Sequence, residues 1–123
     1  MKAVAYNIKS FERECLATAN HKKHDITLIS NPLSLETALY AEGKEAVIVS
    51  VDDLVSANVI HQLAIVGVKY LITRSVTTDH IDMTAVTSEG LLMINIPSKH
   101  IGSMESLQNV AKQTIYNLDK LTQ

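Results

Sequence analysis

The densest run of side chains able to do chemistry is Arg74-Ser75-Val76-Thr77-Thr78-Asp79. It joins a guanidinium, three hydroxyls and a carboxylate in one short segment. Backbone N–H groups in such a run can meet a carboxylate ligand. The plainer reading is a polar crossover loop in which Asp79 caps the helix that follows. A second polar cluster, Asn95-Ile96-Pro97-Ser98-Lys99-His100, offers a lysine and a histidine that could attract an anion, or could simply be solvated. Asp52 and Asp53 follow an apolar run, where a phosphoacceptor aspartate would sit. That reading also needs an acid pair after the first apolar run, and Asn7 stands there instead.

Metal and thiol chemistry find weaker support. His21 and His24 are three apart but have no third carboxylate or thiol beside them, so a solvated polar turn is the expectation. His80 is expected at a helix start. Cys15 is the single cysteine, which excludes an internal disulfide and points to a packed helix residue and a cytoplasmic address.

The elements that must position these groups alternate along the chain. Five apolar runs, Ala3–Tyr6, Ile26–Ile29, Ala46–Val49, Tyr70–Thr73 and Leu91–Ile94, read as strands buried on both faces. Helical segments lie between them. One is capped by Ser10, with Glu12 and Glu14 in its first turn, and one follows Ser34 and stops at Gly43. A third carries Ile60, Leu63 and Ala64, a short one runs from about Asp82 to Ser88, and a last one begins near Ser103. Continued to Leu121, that last helix would be roughly 28 Å long.

This alternation predicts an α/β fold: a flavodoxin-like five-stranded parallel sheet of order 2-1-3-4-5, helices on both faces and a long C-terminal helix. Residues 1–123 read as a single domain without repeat or linker. In such sheets ligands bind beyond the carboxyl ends of the strands, which is where the Arg74–Asp79 run falls.

Composition narrows the function classes. The chain has 46% hydrophobic and 20% charged residues with a net charge of −2. Its basic residues are scattered and its aromatics few, which argues against nucleic acid. No stretch reaches the ~20 apolar residues of a membrane span, and no secretory leader is expected.

The segment Arg74-Ser75-Val76-Thr77-Thr78-Asp79-His80-Ile81-Asp82-Met83, with Gly90 and then Asn95-Ile96-Pro97, resembles the D-isomer-specific 2-hydroxyacid dehydrogenases, especially their D-lactate dehydrogenase branch. That family carries R-x-V-G-x-D-x-I-D-x, a glycine shortly after, and N-x-P at the start of its interdomain helix. Met1–Tyr6 and Leu63–Lys69 are similar to the family as well, so the resemblance covers nearly the whole chain. It implies a flavodoxin-like substrate-binding domain, with Arg74, Ser75, Val76, Thr77, Thr78 and Asp79 as the substrate loop.

The family's nucleotide domain, which would bind NAD, is not matched. The only glycines are Gly43, Gly67, Gly90 and Gly102, and none forms a G-x-G-x-x-G turn. The family's catalytic arginine, acid and histidine are not matched either, so no catalytic, cofactor-binding or metal residue is assigned. Thr77 replaces the family glycine that lets a substrate carboxylate approach the backbone. The segment Ser98–Gly102 also departs from the pattern.

The expectation is therefore a truncated, non-catalytic homologue of the substrate domain that binds a small anion or a partner. The alternative is a fragment or subunit of an NAD-dependent D-2-hydroxyacid dehydrogenase. A stripe of Met104, Leu107, Ala111, Ile115 and Leu118 on the last helix leads to the expectation of a homodimer.

Overall fold

The computed structural model describes residues 1–96 and 106–121. Strand β1 (Lys2–Ala5) leads to helix α1 (Ser10–Asn20) and strand β2 (Asp25–Leu28). A 3-10 helix over Thr37–Ala41 precedes β3 (Ala46–Val49), followed by α2 (Ala57–Ile65) and β4 (Tyr70–Thr73). Then come α3 (Met83–Ser88), β5 (Leu92–Ile94) and α4 (Ser106–Leu121). The five strands form one sheet of order β2-β1-β3-β4-β5, all pairs parallel, as the alternation predicts.

Period-two alternation sends strand residues to two cores. Val4, Val47, Val49 and Leu71 join α2, α3 and the 3-10 helix through Val59, Ile60, Leu63, Val86 and Ala38. Ala3, Ala5, Ala46, Ile48 and Ile72 line the other face, against Leu16 of α1 and Ala111, Ile115 and Leu118 of α4. The register pairs Ala3 with Ala46. This row of small side chains leaves a shallow trough that two helices can fill.

Ala111, Ile115 and Leu118 are only 3%, 2% and 0% exposed, so this part of the apolar stripe packs on the chain's own sheet. Met104 and the side chain of Leu107 lie outside the described residues. Buried polar groups also fix α4: Asn117 Nδ2 donates to the Asn95 carbonyl at 3.3 Å. His24 Nε2 lies 2.8 Å from Asp119 Oδ1. His24 is thus buried, where a solvated turn was expected. Burial alone would raise the Asp119 carboxyl. Hydrogen bonds from His24 and Lys23, with their charges, outweigh this and hold it below the ordinary carboxylate range.

Helix ends differ slightly from expectation. Lys9, not Ser10, is the N-cap of α1, and its N–H donates to Glu12 Oε1 at 3.0 Å. The expected helix after Ser34 is only the short 3-10 segment, with Ser34 and Thr37 exchanging hydrogen bonds at its start. Polar side chains that bond locally favour such turns over a continuing helix.

Candidate functional site

The carboxyl ends of β1, β3 and β4 bring three loops together. The chain leaves β1 in an unusual conformation: Asn7 is left-handed, with φ 57. Asparagine tolerates this region better than most residues, and its neighbours hold it there. Its N–H donates to the Asn31 carbonyl at 2.8 Å, and its Nδ2 donates to Asp53 Oδ1 at 3.2 Å.

Asp53, 1% exposed, is the staple of this end of the sheet. Its Oδ1 also accepts from the Leu33 N–H at 3.0 Å, and its Oδ2 from the Ser50 N–H at 2.9 Å. One carboxylate thereby ties the loops after β1, β2 and β3, its charge met by three donors. Asp52, the other half of the pair, is exposed.

Arg74 reaches the same place from β4 but turns inward, with a side chain only 3% exposed. Its Nη1 donates to the Tyr6 carbonyl at 3.1 Å and its Nη2 to the Asn7 carbonyl at 3.3 Å. Its Nε donates to Glu12 Oε2 at 3.2 Å. Three of its five N–H groups are thus engaged in fastening β4 to β1 and α1. In this structure Arg74 works first as a clamp. A shallow cleft of about 210 Å³ lies beside it, bordered by Lys9, Phe11, Ser50 and Asp52.

Residues 75 to 79 follow Arg74 and show a marked asymmetry. The carbonyls of residues 75 to 78 are occupied by the protein: Ser75 accepts from the Ile96 N–H at 2.9 Å, and Val76 from Asn95 Nδ2 at 2.8 Å. Thr77 accepts from Ser75 Oγ at 2.8 Å, and Thr78 from the Ile81 N–H at 3.0 Å. The N–H groups of residues 75 to 79 meet no acceptor among the described residues. A loop with satisfied acceptors and open donors is suited to an anion. Ser75 is buried, Val76 and Thr78 are half-buried, and Thr77 and Asp79 are exposed. Asp79 does not cap the next helix. Asp82 does, its Oδ1 accepting from the Ala85 N–H at 3.0 Å.

His80 packs beneath the loop, Nε2 at 3.0 Å from Thr73 Oγ1. Burial pushes its imidazole below the ordinary range, while the charges of Asp53, Asp79 and Asp52 pull the other way. Tyr6, at the end of β1, donates its hydroxyl to the Thr37 carbonyl at 2.6 Å, and its pKa is raised, first by burial and then by Tyr40 and Asp53. The sequence had flagged Asp53 and His80 for other roles and had read Glu12 only as a first-turn acid of α1. Their partners lie on different loops, so no local spacing announces these contacts.

Among the described residues no group of three metal ligands occurs, and no helix is long and apolar enough to cross a membrane. Lys99 and His100, weighed as an anion-attracting pair, lie outside the described residues. Among the described residues no turn fits a dinucleotide pyrophosphate, which needs glycines opening a helix after a strand. Gly67 and Gly90 instead follow the ends of α2 and α3, and Gly43 follows the 3-10 helix.

The chain can be set beside known proteins. The pattern of the D-isomer specific 2-hydroxyacid dehydrogenase catalytic domain matches residues 3–123. D-lactate dehydrogenase kk1H of Curvularia clavata is 32% identical over 127 residues, an alignment covering 99% of this chain and 36% of that protein. The apo-structure of Escherichia coli D-lactate dehydrogenase superposes with a TM-score of 0.77 at 29% identity, over 80% of this chain and 31% of that one. D-lactate dehydrogenase with NAD+ from Lactobacillus jensenii superposes with a TM-score of 0.67 at 26% identity, over 80% of this chain and 30% of that one. The chain thus spans about a third of the length of the relatives it matches.

Proposed function

The chain belongs to the D-isomer specific 2-hydroxyacid dehydrogenase family through its catalytic domain, and from that premise we propose that it binds a small 2-oxo or 2-hydroxy carboxylate without reducing it. The observation that carries this reading is the loop of residues 75 to 79, where the carbonyls of residues 75 to 78 are taken by the protein while the N–H groups meet no acceptor among the described residues. A carboxylate seated there accepts several charge-assisted hydrogen bonds on a backbone already held from below, so little ordering is required on binding.

Two considerations support the non-catalytic half of this reading. Hydride transfer draws on a dinucleotide, and no described turn fits its pyrophosphate. Proton transfer needs an accessible acid near its working pH. His80, the imidazole beneath the loop, has Nε2 engaged by Thr73 and Nδ1 buried. Asp53 is bound by three donors.

A second reading is favoured by the share of the relatives that the chain spans. In it, these residues are the substrate domain of an NAD-dependent dehydrogenase whose nucleotide domain lies on further sequence or on another chain. Calorimetric titration with pyruvate and an NADH-oxidation assay on the purified 123 residues separate the possibilities. Saturable binding with no oxidation is expected. Turnover overturns the non-catalytic half of the proposal, and absence of binding overturns the other half.

A further inference from the structure

The side chains beneath the loop form a chain of hydrogen bonds whose direction can be worked out. Ser75 Oγ lies 2.8 Å from the Thr77 carbonyl, which can only accept, so the one Ser75 hydroxyl hydrogen points there. Thr73 Oγ1 lies 2.6 Å from Ser75 Oγ, and the hydrogen between them must then come from Thr73. With that hydrogen used, Thr73 Oγ1 can only accept from His80 Nε2 at 3.0 Å. The ring hydrogen therefore sits on Nε2. Nδ1 is buried with no partner. A bare lone pair there costs less than a buried, unpaired N–H on a charged ring.

We propose that His80 is a positioning residue for the anion loop: a neutral imidazole with its hydrogen on Nε2, which fixes the loop through Thr73 and Ser75. The relay ends on the Thr77 carbonyl, and so sets the orientation of the peptide unit that carries the Thr78 N–H. Thr73 is fully buried at the end of β4, giving the relay a rigid base. His80 itself is held through its backbone, since its carbonyl accepts from the Val55 N–H, just before α2, at 2.8 Å. Its lowered pKa agrees with a ring that stays neutral, despite the acidic side chains of Asp53, Asp79 and Asp52 around it. The geometry of the relay stands without a ligand. Its consequence for binding rests on the carboxylate reading above.

Two measurements test this. In the first, 15N NMR of the imidazole rings reports which nitrogen carries the hydrogen. His80 is expected to show a protonated Nε2 and a bare Nδ1 at neutral pH, and to titrate below the ordinary histidine range. A hydrogen on Nδ1, or titration at or above that range, overturns the proposal. In the second, pyruvate is titrated into His80→Gln, His80→Leu and Thr73→Val. Glutamine can place an N–H near the Nε2 position, so H80Q should stay within about threefold of the parent, while H80L and T73V weaken binding about tenfold, the scale of one lost hydrogen bond. Equal affinity for H80L, T73V and the parent overturns the positioning role, even if H80Q behaves as expected. If the parent binds no pyruvate, the carboxylate reading fails. The relay is then judged on the ring nitrogens alone, with T73V expected to release the tautomer preference and an unchanged ring signal counting against it.

Discussion

Replacing Leu118 by alanine tests whether α4 completes this chain's own core. Leu118 is fully buried on the face where α4 and α1 cover the alanine row of β1 and β3. Truncating a buried leucine costs about 2–5 kcal/mol, depending on how far the site can collapse. Collapse is limited here because Ile115 and Ala111 already hold the helix against the sheet. In a domain of this size each kcal/mol shifts the midpoint by about 4 °C. L118A should therefore lower Tm by about 8–20 °C. Tyr116 lies on the same helix but is 55% exposed, and Y116A should change stability by no more than about 0.5 kcal/mol. Thermal and urea unfolding, followed by circular dichroism at two widely separated protein concentrations, gives both numbers. A near-neutral L118A, or a parent midpoint that climbs with concentration, would show that a second copy covers this face and would refute the packing argument.

Four further outcomes are expected. Asp53→Ala strands the Asn7 amide and the Leu33 and Ser50 N–H groups; urea unfolding should register a loss of about 2–4 kcal/mol. Stability should rise with pH through the histidine range. His80 titrates lower when folded, so between the folded and unfolded values the unfolded chain holds more protons, and the contribution is complete only above about 6.5. H80Q should flatten that part of the stability profile. Asp119, also lowered in the fold, contributes above the unfolded carboxylate range and is lost as pH falls through its folded value. Thr77→Gly removes an exposed β-branched side chain from the loop and should tighten pyruvate binding by about threefold to tenfold in calorimetry, a crowding cost near 1 kcal/mol.

The fold was largely legible because its signals are local. Strands buried on both faces announce themselves as unbroken apolar runs, and the sheet order follows once they alternate with helices. The loop after β4 stood out through the Arg74–Pro97 pattern, but the contacts its residues make did not. Arg74 reads as an anion ligand in sequence, whereas the structure engages it with carbonyls of Tyr6 and Asn7. Those partners are distant along the chain and offer backbone atoms, which carry no sequence signature. The apolar stripe of α4 was legible as apolar, but its packing against β1, β3 and α1 was not. Periodicity shows that a face must be covered and says nothing of what covers it. His24 illustrates the same limit: two histidines beside lysines look solvated until Asp119 arrives from α4.

The most direct test of the account is a titration of the 15N-labelled chain with pyruvate, followed by amide NMR. The account predicts saturable shifts concentrated at Val76, Thr77 and Thr78, with the residues lining the α1–α4 groove, such as Cys15 and Lys112, unmoved. Shifts clustered in that groove, or none at the loop at saturating pyruvate, would contradict it.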